Sequence, residues 1–316
     1  MATSGSFDYS VTASTIIQET LEQIGVLADG ETVNANDQSI CLRSLNMMVK
    51  QWSGNFDFAP GLKAFSRKVG YVFLQKNQGS YSLGPTGDNA SLTYVSTTMR
   101  IAAISTATTL EVTSTTGMTA ADKIGIELDS GSIYWTTISS VTDGDTLVIP
   151  APGLSGASAI GKRIFTYTTK LIRPLYIEQA SVRDVNGNDT ELGTMTPAYY
   201  ERIGLKSTDG FPSRYRYDDT LTNGTFYIDV EPSDVTNVIR LAFMAPAEDY
   251  DAVGNDIAFP QQWYLALALG LGKIVAHKFN SALWTPLHES NLVSALSIAR
   301  TAYAETTEEY FQPGAE

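Results

Sequence analysis

The sequence predicts an α+β chain, with a helical bundle built from both chain ends and a β-rich middle that carries an inserted small β-barrel or sandwich domain. Three observations predict it. Apolar residues recur at helical spacing near the N-terminus and again after residue 260. Between them run short β-branched segments punctuated by glycine and proline. Residues 88–168 stand apart in composition, being rich in Thr, Ser, Ala and Gly with turn signals at regular intervals.

A first helix is expected over residues 14–27, with Ile17, Leu21, Ile24 and Ala28 on one face and Asp29-Gly30 as its stop. A second starts near residues 34–37, where short polar side chains can cap free amides, and carries Cys41, Leu45, Met48 and Trp52 on one stripe. Packing is the expected job of Met47, Met48 and Trp52. The short connection makes the two helices an antiparallel hairpin. Residues 71–74 and 80–83 read as strands between glycines.

In the segment 88–168, strands are expected at 91–95, 100–104, 109–113, 123–128, 133–141, 146–149 and 163–168, with turns at 129–131 and 143–145. Longer strands follow at 171–182, 224–230 and 238–244. Tyr199, Tyr200, Tyr215 and Tyr217 add aromatic character suited to an interface or to a core. Pro260 fits the first position of a helix that is apolar nearly all round from Trp263 to Lys278, the mark of a buried helix. Gly270 and Gly272 would let another backbone come close. A last helix begins near Pro286, with Leu292, Leu296, Ala299 and Tyr303 on one face, and a tail ends the chain. The domain boundaries expected are therefore 1–87 with 169–316 for the host, and 88–168 for an insert with its own core, removable without unfolding the host.

Composition narrows the chemistry. At 316 residues and 43% apolar, the chain can fill roughly two domains. No apolar run is long enough for a membrane span, and the first residues lack the pattern of a signal peptide, which makes the sequons at Asn89 and Asn223 chance matches. Cys41 is the sole cysteine, so no intrachain disulfide or multi-thiolate metal site is possible. His277 and His288 are the only histidines and offer little to catalysis or zinc. The net charge of -13 argues against broad binding to nucleic-acid backbones. It is unevenly spread: -5 over 1–58, +2 over 59–170, -8 over 171–259 and -2 over 260–316. The acidic residues Asp218, Asp219, Asp229, Glu231, Asp234, Glu248, Asp249, Asp251 and Asp256 lack calcium-loop spacing and read as a solvated face. Gly270-Leu-Gly-Lys273 fails as a phosphate loop, since the earlier glycine is missing and Ile274 replaces Ser or Thr. No cofactor or metal site is expected.

Two end segments are more specific than any of these motifs. One is "IIQETLEQIGVLADGETVNANDQSICLRSLNMMVKQWS", a helix, an Asp-Gly-Glu turn and a second helix with Leu-Asn-x-Met and Trp. The other is "NDIAFPQQWYLALALGLGKIVAHKF", a Phe-Pro before a Trp-bearing helix rich in Ala and Leu. Together they resemble the head-to-tail adaptor (head-completion, or tail accessory) proteins of short-tailed bacteriophages. "KLIRPLYIEQASVRD" and "FYIDVEPSD" look like the family's linking strands, and "ADKIGIELDSGSIYWTTISSV" like the small β-domain of its longer members.

The resemblance implies a non-enzymatic virion protein at the head–tail neck, assembled in the host cytoplasm. It implies a homo-oligomeric ring of twelve copies that joins the portal protein to tail nozzle or fibre proteins and keeps packaged DNA in. DNA would pass through the channel without specific binding. Docking through the C-terminal part makes Tyr303, Tyr310, Phe311, Gln312 and Pro313 the portal-binding candidates. Leu21, Leu45, Trp52, Trp263, Leu267 and Leu296 are the bundle-core candidates. The rival reading is a virion-associated glycan or peptidoglycan hydrolase working through a carboxylate pair, and a third is a glycan-binding β-insert.

Overall fold

The computed structural model describes residues 5, 6, 8–28, 30–54 and 66–302. The fold is mixed α+β, with several sheets. The chain divides into two compact units, Met1–Arg67 with Pro246–Glu316, and Lys68–Ala245. Among the described residues there are five α-helices: α1 Ala13–Gln23, α2 Ala35–Gly54, α3 Pro197–Arg202, α4 Tyr264–Phe279 and α5 Pro286–Ala302.

In the first unit, Thr12 caps α1 by accepting the Thr15 N–H at 3.3 Å. The helix stops earlier than its apolar spacing suggested. Gly25 adopts φ 72°, its N–H bonds Glu22 O at 3.0 Å, and the Val26 N–H returns to Leu21 O at 2.9 Å. This paired closure satisfies carbonyls that the helix end would orphan, and it needs a residue that tolerates positive φ. The stop is therefore Gly25, not Asp29-Gly30. Asn34 caps α2, its Oδ1 accepting the Asp37 N–H at 2.9 Å. Cys41, Leu45, Met48 and Trp52 are buried, whereas Met47 is 56% exposed. One residue along a helix is a turn of roughly 100°, so Met47 leaves the packed stripe its neighbour Met48 occupies. Pro260 precedes a 3-10 turn, Gln261–Trp263, which leads into α4.

α1 packs on α2 and α4, and α4 packs on α2 and α5. One hydrophobic cluster runs through all four, joined by Tyr250, Ile257 and Phe259 of the segment before α4. Thr20 Oγ1 lies 2.7 Å from Ile16 O of its own helix and 3.0 Å from Ala268 O. Asn46 exchanges two bonds with Tyr250, donating to its carbonyl at 2.8 Å and accepting its N–H at 2.9 Å. What comes close at the α4 glycines is a side chain rather than a backbone. A Cβ on Gly270 would stand 2.8 Å from the Trp52 ring.

The second unit is built of sheets. A five-stranded sheet has the order β12 (Asp189–Glu191), β11 (Tyr176–Arg183), β18 (Val238–Met244), β1 (Arg67–Phe73), β3 (Ala90–Ser91). A four-stranded sheet has β13 (Gly193–Thr194), β15 (Arg214–Asp218), β16 (Gly224–Ile228), β2 (Ser80–Leu83), and a short parallel pair joins β14 (Asp209–Gly210) to β17 (Glu231–Pro232). One core cluster draws on both, with Val72, Leu241 and Phe243 from the first and Tyr81, Tyr215 and Phe226 from the second.

A further pair of sheets falls within residues 88–168. One is β4 (Val95–Thr98), β10 (Arg163–Tyr167), β6 (Lys123–Glu127), β7 (Ile133–Thr137), and the other is β5 (Thr109–Glu111), β9 (Thr146–Val148), β8 (Ser140–Val141). They share a cluster that includes Leu110, Ile124, Ile126, Leu147 and Ile164. Neither sheet closes on itself, which corrects the closed barrel offered as one expectation. Strands of two to five residues here leave free edges instead of completing a ring of ladders.

The strand expected at 100–104 is also corrected. Ala103 makes one isolated bridge to Ser158, and Ile101 and Ile104 are 52% and 75% exposed. With no continuous partner ladder, the β-branched residues there have no sheet to complete. A fourth cluster mixes Phe165, Tyr167 and Ile133 of residues 88–168 with Phe73, Val235 and Val238 from outside that segment. The Phe73 ring sits 5.2 Å from Phe165 and stacks on Tyr167 at 5.6 Å.

Candidate functional site

The chemistry-bearing side chains of the described residues are largely engaged in holding structure. Of the acidic stretch, Asp229 accepts the Ser213 N–H at 3.0 Å and its hydroxyl at 2.6 Å, Asp234 accepts the Thr236 N–H at 2.8 Å, and Asp218 pairs with Arg216. These bonds tie turns and strand ends together. Among buried carboxylates, Glu127 accepts from Lys162 Nζ at 2.6 Å and from the Arg163 N–H at 2.9 Å, and Asp122 Oδ2 accepts the Thr119 N–H at 2.7 Å. No group of three or more His, Cys, Asp or Glu that could hold a metal ion occurs among the described residues. Cys41 is fully buried, and burial, with Asp37 second, pushes its thiol up to about 11, away from the reactive thiolate.

The more informative surface belongs to the helical unit. Leu265 at the start of α4 is 54% exposed, and on α5 Leu287, Val293 and Ile298 are 68%, 59% and 63% exposed. A groove of about 420 Å³ is lined by Leu265, Leu269, Leu287, Ala295 and Ile298, with Gln23, His288, Asn291 and Ser294 as its polar members. No Asp, Glu, Lys or Arg lines it among the described residues. A second groove, of about 470 Å³, has Met48, Trp52, Leu292, Val293 and Leu296 in its wall. Its polar members include Lys273 and Glu289, paired at 2.7 Å. Glu289 also accepts from Trp284 Nε1 at 3.0 Å, and these two bonds, Lys273 first, hold its carboxyl below the usual range. At the head of α5 the Thr285 N–H donates to His288 Nδ1 at 3.2 Å, which occupies one amide that a helix start leaves unpaired.

An α5 buried through Leu292, Ala295, Leu296 and Ala299, with Leu287, Val293 and Ile298 exposed among serines and Asn291, can bury a further apolar surface. Sequence reasoning did not single out Leu265, Leu287, Val293 or Ile298. The available signal was α4's apolar character all round. That pattern predicts complete burial, and where the unit leaves Leu265 open it marks a face without a partner among the described residues.

Leu21, Leu45, Trp52, Trp263, Leu267 and Leu296 stand in one cluster, none more than 8% exposed. Tyr303, Tyr310, Phe311, Gln312 and Pro313 lie outside the described residues. His277 is exposed near the end of α4. No described helix is long and apolar enough to cross a membrane. Compared with protein-family models and with curated proteins, the chain matches none of either.

Proposed function

We propose that this protein is a head-to-tail adaptor of a short-tailed phage virion, a ring of twelve copies that joins the portal to the tail and keeps packaged DNA in. The observation that carries the reading is the exposed aliphatic group of Leu265, Leu287 and Ile298, which line one groove of the helical unit. Exposed apolar area of this kind favours a protein partner, because covering it releases ordered water at little polar cost. The two end segments of the sequence that resemble the adaptor family supply α1, α2 and α4 of this same unit. In this reading the helices of both chain ends form the bundle that presents the docking face, and residues 88–168 are an inserted, sandwich-like β-domain in a host formed by 1–87 and 169–316. The portal meets α5 and residues 303–316, where Tyr303, Tyr310 and Phe311 serve as aromatic anchors and Gln312 and Pro313 extend the contact. Tail nozzle or fibre proteins bind elsewhere on the ring. A net charge of -13 per copy keeps DNA from sticking as it passes.

Native mass spectrometry of the protein mixed with its portal tests the reading. Rings of matching order are expected, and deletion of residues 304–316 should leave a folded protein that no longer sediments with portal rings. A fixed one-to-one heterodimer would refute ring assembly. Unchanged co-sedimentation of the truncated protein would move the contact away from the C-terminus.

A further inference from the structure

Residues 199–217 form a basic island in the most acidic stretch of the chain. Four cationic side chains, Arg202, Lys206, Arg214 and Arg216, stand there against two acidic ones, Glu201 and Asp209. The four tyrosines of this region divide between two faces of one sheet. Successive residues of β15 point to opposite faces. Tyr215 and Tyr217 turn inward, Tyr215 stacked on Phe226 at 5.3 Å and Tyr217 donating to Pro174 O at 2.7 Å. Arg214 and Arg216 turn to the other face, where Arg216 stands opposite Tyr227 in the ladder.

Helix α3, capped by Thr196 accepting the Tyr199 N–H at 3.2 Å, adds Tyr199 and Tyr200 to this face. The guanidinium of Arg214 lies 4.6 Å from the Tyr199 ring centre. That of Arg216 lies 5.2 Å from Tyr227, and Lys206 Nζ lies 5.0 Å from Tyr200. Tyr200 and Tyr227 rings meet at 5.0 Å.

These cations are not equally spoken for. Arg216 is held by Asp218, and Lys206 has Glu201 at 4.0 Å. Arg214 is exposed, stacked on a Tyr199 that is itself 43% exposed, and forms no ion pair among the described residues. An arginine laid flat on an aromatic ring in water gains little, and gains more once the pair is covered and a carboxylate reaches its free edge. Tyrosine and arginine are also the side chains that dominate buried protein contacts. The same chain carries a complementary surface. Residues 247–256 include Glu248, Asp249, Asp251 and Asp256, all exposed, and no lysine or arginine. Asp249 is already paired with Lys50 at 2.8 Å, which leaves Glu248, Asp251 and Asp256.

We infer that the Tyr–Arg face of β15 and α3 is a contact between copies of this chain, and that it receives the acidic loop 247–256 of a second copy. The contact joins two different patches, so it is heterologous, the type that closes rings. It needs only this chain and stands whether or not a portal is the partner. Phosphate backbones fit the face less well, because Glu201 and Asp218 sit among its cations and the whole chain is acidic.

Sedimentation velocity on the full chain at rising concentration provides the test. Concentration-dependent association is expected, weakened in ~1 M salt, where the screening length falls to about 3 Å. Arg214→Glu and, separately, Asp251→Arg should each weaken it on the order of tenfold or more, and mixing the two variants should restore it, since each then offers the other a complementary pair. Tyr199→Ala, at a site exposed on the outer face, should weaken association without altering the melting curve, and it decides the matter if Arg214→Glu fails to fold. A wild-type chain that stays monomeric at the highest attainable concentration overturns the inference. So does an Arg214→Glu protein that associates like wild type, or a wild-type monomer that binds a labelled single-stranded oligonucleotide through Arg214.

Discussion

Each unit seats a tryptophan against a glycine, and the two do it by different routes. In the second unit Gly125 and Trp135 are direct cross-strand partners in the hairpin of β6 and β7, and a Cβ on Gly125 would lie 2.7 Å from the indole. In the helical unit the ring of Trp52, from α2, lies against Gly270 of α4, and the neighbouring contact of Thr20 with Ala268 spans 248 positions of sequence. The first contact follows from a local ladder. The second exists only after both chain ends have met, so it costs loop closure before it contributes anything. The β unit has long-range pairings of its own, such as β16 with β2, but its glycine seat lies in a local hairpin, whereas that of the helical unit stands on long-range burial.

Deleting residues 88–168 with a short glycine linker should sharpen that contrast most. Phe73, Val235 and Val238 would lose the Phe165, Tyr167 and Ile133 surface that covers them, so the remaining strands should lose stability while the helical signal persists. Circular dichroism across the melting curve checks it, and loss of the helical signal would break the comparison. Trp263→Ala comes next. Trp263 is fully buried in the helical cluster, and its removal should cost about 3–5 kcal/mol, read as a shift in urea midpoint of the helical signal.

A paired substitution tests the two glycine seats themselves. Gly270→Val should cost about 1–3 kcal/mol by overpacking against Trp52 and Met48. Gly125→Val should cost less, because valine's preference for strands, up to ~1 kcal/mol, offsets part of the clash. Equal losses would show that the local ladder gives no relief.

The smallest effect is expected from alkaline pH. Burial lifts the Cys41 thiol of the helical unit from 9.0 to about 11, so the unfolded chain releases this proton at lower pH than the folded one. Its contribution is complete below pH 9 and is lost as pH rises towards 11. Burial likewise lifts Tyr167 of the second unit from 10.0 to about 12, which places its loss later. Urea midpoints across this range should fall first for the helical signal, and Cys41→Ala should flatten that early slope.

Much of the fold was legible where one residue type leaves few options. Asn34 marks the start of α2 and Pro286 that of α5, because a capping amide and a missing N–H fit those positions and few others. The run 238–244 reads as a strand and is β18 to the residue. Gly25 was hidden inside a good apolar period, and only its positive φ and the closure behind it reveal the stop. Of the site, the candidate core residues could be picked from spacing, whereas Leu265, Leu287 and Ile298 could not. An aliphatic residue looks the same in sequence whether its face is covered or open.

The sequence by itself determined where the four long helices and several of the strands lie, how acidic the chain is, and that thiol and imidazole chemistry have almost no material. Those properties reside in local conformational preference and in composition. Tertiary structure alone decided that Tyr215 and Tyr217 turn inward while Tyr199 and Arg214 turn out, that Trp52 lies on Gly270, and that Leu287, Val293 and Ile298 of α5 stay exposed. Each of these depends on which surfaces meet. That is set by burial summed over residues far apart in sequence, which no local pattern encodes.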